Sequence, residues 1–193
     1  SAVQDVITNW SDYPSMRRRA FRESALSFAA RGALGEEGAE VDVTVRLAGG
    51  AIVRRGAVVR GKSVVGADAV IGAGSVVEES VIGDGTCIEG SYISHSVVGA
   101  HCSVGPYAHL RPGTNVGCGV RIGAFVECKN ANIGDGCKLS HLAYVGDADL
   151  GERVNVGCGV VFVNYDGKRK SRTRVGKGAF LGSNCNLIAP VRV

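Results

Sequence analysis

Aliphatic residues return every sixth position at Val98, Val104, Leu110, Val116 and Ile122, and a Gly directly follows most of them. A period of six fits neither the 3.6-residue turn of an α-helix nor the plain alternation of a lone strand. The residue four places on is small in nearly every case: Cys102, Ala108, Thr114, Val120 and Val126. From that residue to the next aliphatic is two steps, which in an extended chain turns both side chains to one face. The Gly and its polar followers then make a corner. Three such sides close a triangular coil of about 18 residues, and coils stacked at about 4.8 Å bury a continuous core that none could bury alone.

Backwards, the frame takes in Val53, Val59, Val65, Ile71 and Val77, then Ile82 and Ile88 after a step of five. Forwards it passes Ile133, Leu139, Val145, Leu150 and Val156, then Val175, Leu181, Leu187 and Val193. The expectation is an all-β chain, a parallel β-helix of hexapeptide repeats with about eight coils, spanning 41–193 behind an N-terminal helical extension over 1–40. The extension rests on Pro14 followed by SMRRRAFRESALSFAARG, which predicts a helix from Pro14 or Ser15 to Gly32. Met16, Ala20, Phe21, Leu26 and Phe28 would form its apolar side. Arg17, Arg18 and Arg19 fall in its first turn, as a solvated run or an anion site. Val41 to Ala51 reads as an entry strand covering the first coil's edge.

Composition narrows the partners. With 29 Gly, 4 Pro and 45% hydrophobic residues, tight corners explain the glycine better than disorder does. A net charge of +4 permits an anionic ligand, yet no basic patch alternates with aromatics, so nucleic acid is not expected. Of seven Cys, Cys102, Cys137 and Cys185 fall on the inward small-residue position and read as reduced core thiols. With no signal peptide and no apolar run of membrane length, a cytoplasmic protein without a membrane partner is expected.

Arg111 and Lys129 lie 18 residues apart in unbroken frame, each behind an inward residue, Leu110 or Cys128. They should share a corner on successive coils, either solvated or gripping one anion such as a phosphate. His141 lies two places past Leu139, on a turn near those cations. An imidazole, with an unperturbed pKa of about 6.5, can serve there as a general base. One coil on stands Cys158, either a nucleophile or a small residue tolerated in a crowded site. The frame breaks between Phe162 and Val175, where NYDGKRKSRTR adds an extra residue. Lys168, Arg169, Lys170, Arg172 and Arg174 crowd this excursion, either a solvated loop or an arm bringing positive charge to a phosphate-bearing ligand. His95, His101, His109 and His141 invite a zinc reading, but they spread over nearly three coils where a site needs convergent ligands.

The runs GPYAHLRPGT (105–114), VGDADLG (145–151), VNVGCG (154–159), NYDG (164–167) and GSNCNLIAPV (182–191) resemble the acetyltransferase domain of a bacterial bifunctional enzyme, N-acetylglucosamine-1-phosphate uridylyltransferase and glucosamine-1-phosphate acetyltransferase. The resemblance covers about Val98 to Val193. It implies a left-handed β-helix, a homotrimer with sites between subunits, and acetyl transfer from acetyl-CoA to the 2-amino group of glucosamine 1-phosphate, on the way to UDP-N-acetylglucosamine and cell wall precursors. By motif position, His141 would be the general base, and Arg111 and Lys129 would hold the sugar phosphate. Tyr144, Asn155, Asn164 and Tyr165 would line the sugar site, Lys170 would reach in from the excursion, and Cys158 and Ser183 would lie by the thioester. No metal is implied.

The chain departs from that pattern in three ways. It lacks the nucleotidyltransferase half, so uridylyl transfer is not expected of it. Cys158 stands where the family more often has Ala, and GVVFVNYDG replaces a Thr-rich version. The repeat stops at Val193, so further coils that touch acetyl-CoA are expected to be missing. The alternatives are a non-catalytic trimeric β-helix module or fragment, acyl transfer to another amino sugar, and a zinc hydratase of the same architecture.

Overall fold

The computed structural model describes Pro14, Met16, Arg19 and residues 32–193. From residue 32 on, short parallel strands wind as a triangular prism, a β-solenoid of the left-handed β-helix type. The rungs of the first face begin at Leu34, Ile52, Val70, Cys87, Ser103, Arg121, Lys138, Asn155 and Phe180, each pairing in parallel with the next. The second face runs from Glu40 through Val58, Val76, Tyr92, His109, Glu127, Tyr144 and Val161 to Asn186. The third runs from Arg46 through Val64, Val81, Val97, Asn115, Asn132 and Asp149 to Arg174, which bridges to Arg192.

The residue after each of these faces inward. Val53, Ile71, Ile88, Val104, Ile122 and Leu139 line the first side, Val59, Val77, Ile93, Leu110, Val145 and Phe162 the second, and Val65, Ile82, Val98, Val116 and Ile133 the third, all buried. The period of six therefore marks one residue per side, as the sequence predicts. The Gly that so often follows has a steric cause. A Cβ on Gly83 would lie 2.5 Å from the carbonyl carbon of Gly99, and one on Gly134 would lie 2.6 Å from that of Gly151. The next coil's backbone already occupies that space.

Buried hydroxyls complete the hydrogen bonding where sides shorten. At the corner between the second and third faces, the Ser80 N–H donates to Oγ of Ser63 and the Ser96 N–H to Oγ of Ser80, each at 3.1 Å. Buried main-chain donors are thereby satisfied without a carbonyl in register. Four sides at this corner turn on one residue of left-handed φ: Glu79 (45°), His95 (46°), Asn130 (47°) and Asp147 (48°). Asn and Asp tolerate that region better than most side chains, which gives two polar residues of the upper coils a local reason to be there.

Three expectations change. The first rung is Leu34–Gly35, ahead of Val41, with Ala33 and Ala39 already in the core. Residues 41–51 are no separate entry strand: Glu40–Val41 and Arg46–Leu47 pair with Val58–Val59 and Val64–Val65 as ordinary rungs. This coil raises the count from about eight to nine rungs per face. Alternation over only two residues per strand, with Glu40 and Arg46 outward, hid it. The excursion after Phe162 is larger than one residue. Val175 pairs with Leu150 on the third face, so the chain takes thirteen positions over a side that elsewhere takes five or six. Of the helix expected between Pro14 and Gly32, Pro14, Met16 and Arg19 are helical and Gly32 is in a turn; its other residues, Arg17 and Arg18 among them, lie outside the described residues.

Candidate active site

Two strands of 13 residues, Arg121–Ile133 and Lys138–Leu150, cross the whole second face and turn both of its corners. They pair side by side, with Glu127 opposite Tyr144 and Lys129 opposite Gly146. Most of the candidate residues sit on or beside this pair.

At the corner between second and third faces, Arg111 and Lys129 occupy equivalent places on successive coils, since Leu110 pairs with Cys128 and the Arg111 N–H donates to the Cys128 carbonyl at 2.8 Å. The stacking expected from the sequence is what the register shows. Arg111 Nη1 meets Glu127 Oε1 at 2.7 Å. The Lys129 ammonium is held below its usual pKa, first by the charge of Lys170, then by Arg111. Three cations therefore converge on this corner. Asp147 lies among them: burial opposes its ionisation, but hydrogen bonds from Asn130 and Asn164 and the charges of Lys170 and Lys129 outweigh burial and keep its pKa low.

Asn164 opens the excursion, and the excursion is an arm. Tyr165 bridges antiparallel to Lys170, the Ser171 N–H donates to the Asn164 carbonyl at 2.8 Å, and Asp166 Oδ1 accepts the N–H groups of Lys168 and Arg169 at the tip. The Tyr165 hydroxyl donates to the Gly167 carbonyl at 2.7 Å. Its ring and Lys170 are exposed.

His141 lies elsewhere on the same face. It pairs with Ala124 at the corner between first and second faces, five residues of strand from Gly146, or roughly 15 Å at the usual rise. The expectation that it shares the cations' corner is therefore corrected: imidazole and cations stand at opposite ends of the second face. The sequence frame fixes which side a residue faces, not how wide the side is. Tyr144 lies between them on that face. Its ring covers Gly146, where an added Cβ would come within 2.6 Å of the ring's Cζ.

Above His141 the register sets Cys158 and then Ser183, one per coil. The Gly159 N–H donates to the Leu142 carbonyl at 2.7 Å and the Asn184 N–H to the Cys158 carbonyl at 2.8 Å. All three side chains of this column are exposed. Asn155 stands apart, half-buried on the first face between Lys138 and Phe180. One chain thus gathers Arg111, Lys129, Asn164, Tyr165 and Lys170 at one corner, and His141, Cys158 and Ser183 at the other. Tyr144 lies between, and Asn155 is around the edge.

Glu127, Asn130, Asp147, Asp149 and Gly146 were not singled out from the sequence, and Arg172 was read only as one of the excursion's cations. The signal available for Asn130 and Asp147 was the step of five between Cys128 and Ile133 and between Val145 and Leu150, which demands a left-handed corner residue.

The four histidines fall on four different columns: His95, His101 and His141 at the three corners, and His109 on the second face, stacked on Tyr92 with centroids 5.2 Å apart. Among the described residues no group of three or more His, Cys, Asp and Glu could hold a metal ion. All seven cysteines are free, and burial pushes the Cys128 thiol up to about 12. No described helix is long and apolar enough to cross a membrane.

Repeat and register together define a parallel β-helix of hexapeptide repeats. Among solved structures, UDP-N-acetylglucosamine acyltransferase from Campylobacter jejuni matches with a TM-score of 0.62 at 16% identity, over 79% of this chain and 66% of that one, and so shares the fold. The family model for the GMPPB C-terminal domain matches residues 41–124, less than half of the chain. The resemblance read from the sequence holds. The chain is 56% identical over 117 residues to the bifunctional protein GlmU of Shouchella clausii and 58% identical over 117 residues to that of Clostridioides difficile. Each match takes 61% of this chain and 26% of the relative, so the chain spans about a quarter of the length of these relatives.

Proposed function

We propose that this β-helix transfers acetyl from acetyl-CoA to the 2-amino group of glucosamine 1-phosphate, as a step in the cytoplasmic synthesis of UDP-N-acetylglucosamine. The observation that carries this reading is the second face itself: three cations at one end, the His141–Cys158–Ser183 column at the other, and a tyrosine between. A phosphate is an anion that relieves the mutual repulsion of Arg111, Lys129 and Lys170. Long lysine and arginine side chains, a sugar ring and an imidazole together fill a gap of roughly 15 Å.

An amine attacks only through a free lone pair, so His141 takes a proton from the amino nitrogen as the nitrogen–carbon bond forms at the thioester carbonyl. The carbon–sulfur bond then breaks and CoA leaves as the thiolate, which takes up a proton. The developing oxyanion needs a donor, and the Ser183 hydroxyl stands two coils above His141 in the same column. Cys158, between them, lines the acetyl group's path. Tyr144, Asn164 and Tyr165 flank the sugar. Asn155 stands around the edge in its own chain, and a homotrimer with sites shared between chains would let it meet this face from a neighbouring subunit.

The test is thiol release from acetyl-CoA in the presence of glucosamine 1-phosphate. Turnover is expected in the native chain, and His141→Ala should lower kcat about 10²–10⁴-fold, the span for loss of a general base. Turnover that survives His141→Ala within threefold would remove His141 from its role. Absence of turnover in a chain extended past Val193 would instead favour a scaffold module.

A further inference from the structure

The arm from Asn164 to Arg172 has two feet, and both stand on carboxylates of one strand. Asn164 Nδ2 donates to Asp147. Arg172 makes the other foot. Its Nε donates to Asp149 Oδ2 at 2.8 Å and Nη2 to Asp149 Oδ1 at 2.6 Å, while Nη2 and Nη1 reach the carbonyls of Ala148 and Asn130, each at 3.0 Å. Asp149 is braced from below: Asn132 Nδ2 donates to its Oδ1 at 2.7 Å, and Asn115 Nδ2 donates to Asn132 Oδ1 at 3.0 Å.

This clamp has work to do. Lys170, two residues before Arg172, sits close enough to Lys129 for the two ammonium groups to repel, and it is exposed, so nothing apolar holds it there. Asp147 attracts both ammonium groups without setting where on the corner Lys170 stands, so a free arm leaves that position undefined. Arginine's planar fork satisfies both oxygens of one carboxylate and still reaches two carbonyls, whereas a lysine ammonium in its place is a point charge without that fork.

We propose that Arg172 is the positioning residue of the arm: its fork on Asp149 fixes the hairpin so that Lys170 faces Lys129 at the corner between the second and third faces. The kinetic part of this proposal rests on the acetyl-transfer reading; the mechanical part does not.

Two measurements on the full chain separate these parts. The first is digestion by a lysine-specific endoprotease, which cuts after Lys168 and Lys170. Cleavage in the arm should run at least about tenfold faster in Arg172→Gln than in the native chain, because local opening governs the rate. The circular dichroism spectrum should not change, since the arm lies outside the prism.

The second is a double-mutant cycle. Arg172→Gln should raise KM for glucosamine 1-phosphate about tenfold, with kcat and KM for acetyl-CoA within about threefold. In a Lys170→Gln background the same change should move KM less than about twofold, because the position it holds no longer carries a charge. Equal cleavage rates overturn the clamp, and additive KM losses overturn its link to Lys170. If a chain extended past Val193 does not acetylate glucosamine 1-phosphate, the acetyl-transfer reading falls and digestion alone decides the clamp. Should Arg172→Gln not fold, Asp149→Asn, which keeps the shape and removes the partner charge, provides the same comparison.

Discussion

The coils below Gly105 and those above it share one interior and differ outside. Inward, Ile71 and Ile88 continue without change of character into Ile122 and Leu139. Outward, the strands from Val58 to Val97 present chiefly valine, at Val58, Val64, Val70, Val76, Val81 and Val97, with Tyr92 among them and Glu40 and Arg46 in the first coil. The same columns in the upper coils present Arg121, Glu127, Asn132, Lys138, Tyr144, Asp149 and Asn155. A two-residue strand gives the fold one position and leaves the other free. In the upper half that free position turns polar and charged, with the candidate residues Tyr144 and Asn155 among its occupants and the others at the corners beside it.

The sharpest way to break that comparison is to change the two registers of one strand. Val70 and Ile71 are neighbours, with Ile71 fully buried and Val70 half-buried. Ile71→Ala should cost about 2–5 kcal/mol of unfolding free energy through lost burial and the cavity left behind. Val70→Ala should cost under about 1 kcal/mol, as surface changes usually do. Chemical denaturation of both variants checks this. Equal losses would mean that the outer valines are covered too, and that the outward register of the lower coils is not free.

This division explains what was legible. Periodicity reports burial, so the inward positions from Val53 to Leu181 were readable, and the corner glycines with them, because the next coil's backbone forbids a Cβ there. The coil begun at Leu34 was missed because Glu40, Arg46 and their neighbours carry too little apolar signal over two residues. The stacking of Arg111 on Lys129 followed from the frame, since a step of 18 returns to the same place. The separation of His141 from them did not, because one repeat position says nothing of the width of a face. The clamp of Arg172 on Asp149 crosses an excursion where the frame lapses altogether, so only coordinates could pair two residues 23 apart.

Gly146 sharpens the same point on the upper side. It stands in the column of Lys129, where the Tyr144 ring takes the space a side chain would need. Its φ is not left-handed, so Gly146→Ala strains no backbone; it pushes a ring that can swing away. Stability should change by less than about 1 kcal/mol. KM for glucosamine 1-phosphate should rise about five- to tenfold as Tyr144 leaves the floor between His141 and the cations. An unchanged KM together with an unchanged melting temperature would show that the ring's place is incidental to the sugar site.

The smallest effect is expected at Cys158, and its size decides between two chemistries. The thiol is exposed, one coil above His141 and one below Ser183. If the acetyl group passed through it, the thiolate would attack the thioester, CoA would leave, and a second attack by the amine would release the cysteine. Cys158→Ala would then abolish turnover, and a burst of CoA release would precede sugar acetylation. Direct transfer needs only that the residue be small enough to let amine and thioester meet. Alanine is smaller than cysteine, so on that path Cys158→Ala should keep kcat/KM within about tenfold of the native value and show no burst in either protein. Rapid-quench measurement of CoA release in both chains tells these apart. A burst in the native chain that disappears in the variant would move the acetyl group onto sulfur and reduce His141 from base for the sugar amine to base for the thiol.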